Sequence, residues 1–155
     1  MIYLDSWALV KLVRTEDGSG ALQEWLDERR DQLAVTSALS RAEVLRTIRR
    51  NNHRENGELI DPTALADELA EAAEVLAAVA QVAVDSDILD RAGALTAPMI
   101  RTLDAIHLVS AAEWDPSDVE LVTYDRRLAA AAADAGMTVI APADPPKTTS
   151  DLPIT

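Results

Sequence analysis

The sequence predicts an α/β fold: a central, mainly parallel sheet with helices on both faces. Three observations carry that expectation. Residues 1–4, 33–36, 81–84, 120–124 and 137–140 form apolar runs of strand length. Helical spacing or helix caps lie between them, and strands alternating with helices are the pattern of parallel strands joined by crossovers. The chain has 155 residues and 48% apolar content, enough for the core of one domain.

Met1 to Leu4 is an apolar run that ends at Asp5, as a buried strand does. Ser6 offers an N-cap for a short helix over residues 7–13, and Asp17-Gly18-Ser19-Gly20 breaks it. A helix resumes from Ala21 to Arg30, with Leu22, Trp25 and Leu26 on one face. Leu33 to Thr36 is the second strand. Ser37 or Ser40 opens the helix that carries Glu43, and Asn51 to Asp61 is a polar loop. Pro62 suits the first turn of a long helix reaching about Ala80. Gln81 to Val84 is the third strand, and Ser86 caps a helix over 87–96. The stretch Arg101 to Leu108 begins an apolar helix, with Leu103, Ile106 and Leu108 apolar and Asp104 among them. Glu120 to Tyr124 is a strand, Asp125 to Ala135 a helix stopped by Gly136, and Met137 to Ile140 the last strand. Residues 1–141 make up the domain; 142–155, rich in Pro, Thr and Asp, read as a flexible tail.

Composition narrows the classes of function. The chain has no cysteine, which excludes disulfides and thiolate metal sites. No apolar run has the length of a membrane span, and the N-terminus lacks the pattern of a signal peptide, so a cytoplasmic soluble protein is expected. A net charge of −13 argues against a nonspecific polyanion binder that works through overall charge. The charge is unevenly spread. Between Arg41 and Arg54 there are five arginines and one acid, Glu43, whereas Asp61 to Asp90 holds eight acids and no base. Such a basic stretch can dock phosphates or meet an acidic neighbour.

In parallel sheets the working groups lie beyond the carboxyl ends of the strands. Asp5 follows the first strand and Asp125 the fourth, which places both at one edge. Each acid also has a structural explanation. Asp5 and Asp125 can be N-caps, and Asp104 suits the positive end of a helix dipole. Glu43 completes a Ser40-Arg-Ala-Glu43 capping box unless the helix begins at Ser37. Taken together they describe a pocket in which carboxylates would repel one another. A hard cation with oxygen ligands, Mg²⁺ or Mn²⁺, resolves that repulsion, activates water and stabilises a transferring phosphoryl group.

Four segments carry a resemblance: Met1-Ile-Tyr-Leu-Asp5-Ser6, Ser40-Arg-Ala-Glu43-Val, Arg101-Thr-Leu-Asp104-Ala-Ile-His107-Leu and Leu121-Val-Thr-Tyr-Asp125-Arg-Arg-Leu. In this order they resemble PIN-domain ribonucleases, in particular the VapC-type toxins of bacterial toxin–antitoxin pairs. The likeness extends to Gly136-Met-Thr-Val-Ile140 and covers nearly the whole chain. It implies a PIN-like three-layer α/β/α sandwich and a metal-binding catalytic cluster at Asp5, Glu43, Asp104 and Asp125. It also implies cleavage of structured RNA (tRNA or ribosomal RNA), a homodimer, and a small cognate antitoxin. Asp5 and Asp104 are the first choices as metal ligands. Asp125 would complete the cluster directly or through water, and Glu43 would ligate or orient the attacking water.

Other residues carry weaker expectations. Ser6 and Thr123 can support these carboxylates by hydrogen bonds or serve as a cap and a strand former. Arg46, Arg49 and Arg50 can hold RNA phosphates or form a solvated helix face, and Arg101 can bind phosphate or balance Asp104. His107 is read as a packed core histidine before a catalytic base, and Trp7 and Trp25 as core or interface residues. His53 carries no expectation. A Mg²⁺-dependent phosphatase would need an Asp two residues after Asp5, where Trp7 stands. A phosphoacceptor receiver would need adjacent acids after the first strand and a Lys after the last, and the chain has neither. The remaining alternative is a catalytically inactive PIN-like module that binds RNA or protein.

Overall fold

The computed structural model describes residues 1–143. The elements run β1 (Ile2–Leu4), α1 (Ser6–Val13), α2 (Ser19–Asp27), β2 (Ala34–Ser37), α3 (Ser40–Asn51), α4 (Pro62–Ala78), β3 (Ala80–Val82), α5 (Ser86–Gly93), α6 (Thr102–Ala111), β4 (Glu120–Val122), α7 (Arg126–Asp134) and β5 (Thr138–Ile140). All five strands form one parallel sheet in the order β3-β2-β1-β4-β5. The chain winds from β1 outward to β2 and β3, then returns to β4 on the other side of β1. The strand order therefore reverses between β1 and β4, and a crevice opens there at the carboxyl edge.

Alternation along β1 builds the two faces, because successive strand side chains point to opposite sides. Ile2 and Leu4 join Leu9, Leu22, Val44, Ile48 and Leu76 of α1 to α4 in one core. Tyr3 joins Leu108, Leu121, Leu128 and Met137 in a second core under α6 and α7. A smaller cluster of Ile88, Ile106 and Val109 fastens α5 to α6. These layers match the three-layer α/β/α sandwich expected from the sequence.

Several local expectations are corrected. The cap of α1 is Asp5, whose Oδ1 accepts from the Ala8 N–H at 2.7 Å, and Ser6 is the first helical residue. Likewise Asp85, not Ser86, caps α5 by accepting from the Ile88 N–H. In both cases the carboxylate stands one residue earlier, where the extended backbone of a cap is found. Helix α3 begins at Ser40, not Ser37, after a turn in which Arg41 and Ala42 donate to Ala38 and Leu39 carbonyls. Strand β3 is shorter than predicted, α2 begins two residues earlier and ends at Asp27, and α5 ends at Gly93. Pro142, assigned to the tail, still packs on the domain: its carbonyl accepts from the Tyr124 hydroxyl at 3.0 Å. That carbonyl also lies 3.2 Å from where a Cβ would stand on Gly18, whose φ is +86°. The rest of the predicted tail, 144–155, lies outside the described residues. Among the described residues no helix is long and apolar enough to cross a membrane.

Candidate active site

A cavity of about 550 Å³ occupies the crevice at the carboxyl edge of β1 and β4. Asp5, Glu43, Asp104 and Asp125 all line it, together with Ser6, His107, Arg46, Arg50 and Arg101. Four segments far apart in sequence thus meet in one place. Asp5 enters from the β1–α1 junction and Asp125 from the β4–α7 junction. Glu43 comes from the first turn of α3, and Asp104 from the first turn of α6.

Asp5 is the most enclosed of the four, at 3% exposure. Its Oδ1 accepts from the Ala8 N–H, and its Oδ2 accepts from the Thr123 hydroxyl. Burial pushes its carboxyl above the usual range; the Thr123 and Ala8 hydrogen bonds and His107 oppose the shift, and Glu43 adds to it. Thr123 also accepts from the Asp125 N–H, so one hydroxyl links the two junctions. Asp125 itself caps α7, accepting from the N–H groups of Arg127 and Leu128 on Oδ1 alone. Capping and pocket lining are therefore compatible roles, and both Asp5 and Asp125 fill both.

Glu43 makes no capping box. Its Oε2 accepts from the Ser6 hydroxyl and lies 2.8 Å from His107 Nε2, while Oε1 has no hydrogen bond among the described residues. Burial raises the Glu43 carboxyl, but the bonds from His107 and Ser6 outweigh it, and the net shift is downward. Ser6 is held in turn against Ser40, which bonds Thr36. Asp104 stands apart: its carboxylate makes no hydrogen bond or ion pair among the described residues. Burial and the neighbouring charge of Asp125 raise it, against Arg101 and His107.

The arginines divide. Arg46 and Arg50 line the acidic cavity, whereas Arg49 lines only the adjoining depression with His53 and Arg54. Arg46, Arg49, Arg50 and Arg101 form no ion pair among the described residues. Trp7 stands on the cavity wall and is 48% exposed, so of the two roles expected for it, core or interface, the core is excluded. Trp25 packs against the first core with the Arg29 guanidinium 4.2 Å over its ring.

Residues 2–134 match the family model described as PIN domain. The chain belongs to the PIN-domain family. Its relatives include Ribonuclease VapC46 of Mycobacterium tuberculosis, 42% identical over 141 residues that cover 91% of this chain and 97% of that one. Ribonuclease VapC35 of the same species is 40% identical over 144 residues, 92% of this chain and 97% of the relative. Ribonuclease VapC47 is 31% identical over an equal span.

In this PIN domain the donor set has the chemistry of a hard-cation site: oxygen ligands only, with mutual repulsion registered at Asp5 and Asp104. The spacing is open. Among the described residues no three His, Asp or Glu side chains stand close enough to hold a cation between them. One feature of this PIN domain exceeds the sequence reading: His107, expected to be a packed core residue, is buried yet bonded to Glu43. Its spacing from Asp104 was visible in sequence; its partner on α3 was not.

Proposed function

We propose that this PIN domain is a Mg²⁺- or Mn²⁺-dependent endoribonuclease that hydrolyses phosphodiester bonds of structured RNA, tRNA or ribosomal RNA. It would act as the toxin of a toxin–antitoxin pair. The observation that carries the reading is the meeting of Asp5, Glu43, Asp104 and Asp125 in one crevice bordered by arginines without ion pairs. The relatives named as ribonucleases support it across almost the full chain.

Asp5 and Asp104 would hold the cation, with Asp125 and Glu43 reached directly or through water. A bound cation would lower the pKa of water and offset charge growing on the phosphoryl oxygens. The chain's own residues supply the rest. Thr123 and the Ala8 N–H fix the Asp5 carboxylate so that it enters the site in one orientation. Glu43 lines the cavity and leaves Oε1 without a hydrogen bond among the described residues, so that Oε1 can accept a hydrogen bond from an attacking water and take its proton. Arg46 and Arg50 hold the phosphate backbone, positioning RNA without reading its sequence.

Incubating purified protein with total cellular RNA in Mg²⁺ or Mn²⁺, against EDTA and against Asp104→Asn, tests the reading. Discrete fragments that need both metal and Asp104 are expected. Folded, antitoxin-free protein that cuts nothing would move the reading to an inactive binding module. At a hundredfold excess over its Kd either metal should stabilise the fold by about 2.7 kcal/mol, read as a rise in Tm. Family likeness further supports a homodimer, which sedimentation would establish, and a small cognate antitoxin. We propose that a basic segment of that antitoxin enters the acidic cavity. Undiminished inhibition after replacing the segment's Arg and Lys residues would reject this.

A further inference from the structure

Behind the cavity a line of hydrogen bonds runs from Glu43 into the core. His107 Nε2 lies 2.8 Å from Glu43 Oε2, and His107 Nδ1 lies 2.9 Å from the Tyr3 hydroxyl. Both rings are buried and meet edge to face, with centroids 6.0 Å apart. Glu43 Oε2 belongs to a carboxylate, which only accepts, so the proton between it and His107 lies on Nε2. In the neutral imidazole the other nitrogen, Nδ1, is then an acceptor, and the Tyr3 hydroxyl is its donor.

We propose that His107 is a positioning residue for Glu43: the Tyr3 hydroxyl sets its tautomer, and its Nε2–H anchors Oε2 so that Oε1 is left to accept from water. The kinetic consequence rests on the ribonuclease reading; the tautomer does not. The arrangement differs from that of a merely packed histidine. Packing would ask only for volume, whereas this line needs an acceptor at one end of the ring and a donor at the other. No buried side-chain nitrogen or oxygen is left without a partner among the described residues, so changing either end strands a polar atom.

Two measurements test the proposal. The chain has two histidines, His53 and His107, so a ¹⁵N-histidine NMR spectrum reads the ring directly. His107 is expected as the Nε2–H tautomer, with the Nδ1–H form growing in Tyr3→Phe. A parent protein with the proton on Nδ1 overturns the proposal. In steady-state RNA cleavage, His107→Leu should lower kcat about ten- to a hundredfold with KM little changed. His107→Gln, whose amide can donate to Glu43, should restore most of that loss. Adding Tyr3→Phe to His107→Gln should cost nothing further, because an amide has no tautomer to set. Equal losses for Leu and Gln, or parent kcat in His107→Leu, would overturn it. Should His107→Leu fail to fold, Tyr3→Phe against the double variant decides. A parent protein that cuts no RNA would reject the ribonuclease reading alone, and the spectrum would still decide the relay.

Discussion

Asp5 and Asp125 do the same local work. Each follows a parallel strand with extended backbone and accepts from N–H groups in the first turn of the next helix. Asp85 does so too, after β3. What differs is where the strands lie. β3 is an edge of the sheet, and Asp85 does not line the acidic cavity. β1 and β4 are neighbours at the reversal of strand order, so their caps flank one crevice. Cap chemistry selects the residue type, and the strand order selects which caps line the crevice. The two crevice caps differ again. Asp5 is enclosed, with both oxygens bonded, whereas Asp125 is half-buried and uses one oxygen for its cap.

The largest expected effect separates Asp85 from the other two. Asn caps a helix about as well as Asp, so exchanging one for the other spares the helices. Asp5→Asn and Asp125→Asn, like Asp104→Asn, should slow cleavage on the order of a hundredfold or more, since a cation site supplies several kcal/mol. Asp85→Asn should cleave at the parent rate. A slow Asp85→Asn would break the distinction by strand position. The next effect compares arginines on one helix. Arg46→Ala and Arg50→Ala should weaken RNA binding and each reduce the salt slope by about one, with Arg49→Ala weaker in both. Titrations of catalytically silent protein with RNA at several salt concentrations would read this.

Removing a cap outright is a smaller change. Asp85→Ala and Asp125→Ala should each cost about 1 kcal/mol in denaturant unfolding, showing that Asp125 keeps its structural role beside the one proposed for it. The smallest effect concerns pH and separates Asp5 from Asp125. The Asp5 carboxyl is raised by burial, so the fold favours its protonated form. Its contribution is intact below the unfolded-state value and is lost as pH rises through the higher folded value. Glu43 is lowered and runs the other way, losing its contribution as pH falls. Without metal, Asp5→Asn should therefore gain stability over the parent as pH climbs out of the carboxylate range. A difference that stays flat with pH would show that Asp5 is not strained by its burial.

The sequence by itself determined the element order, the strand-to-helix positions of Asp5 and Asp125, and the candidacy of Glu43 and Asp104. These follow from local rules: apolar runs of strand length, helical spacing, and caps at junctions. Its errors were local as well, at Ser6 and Ser86, where two adjacent residues can each cap and spacing does not choose between them. Only the tertiary structure decided that β4 pairs with β1, because parallel partners are set by side-chain packing across long connections and not by neighbouring residues. It also decided what Tyr3, Ser6, Thr123 and His107 do. Tyr3 read only as part of the first buried strand, Thr123 as a strand former or support for a carboxylate, and His107 as a core residue. Each gains its partner from another element: His107 for Tyr3, Asp5 for Thr123, Glu43 for both Ser6 and His107. A hydrogen bond needs its two atoms within about 3 Å, and over a hundred residues of chain only the folded packing brings them there.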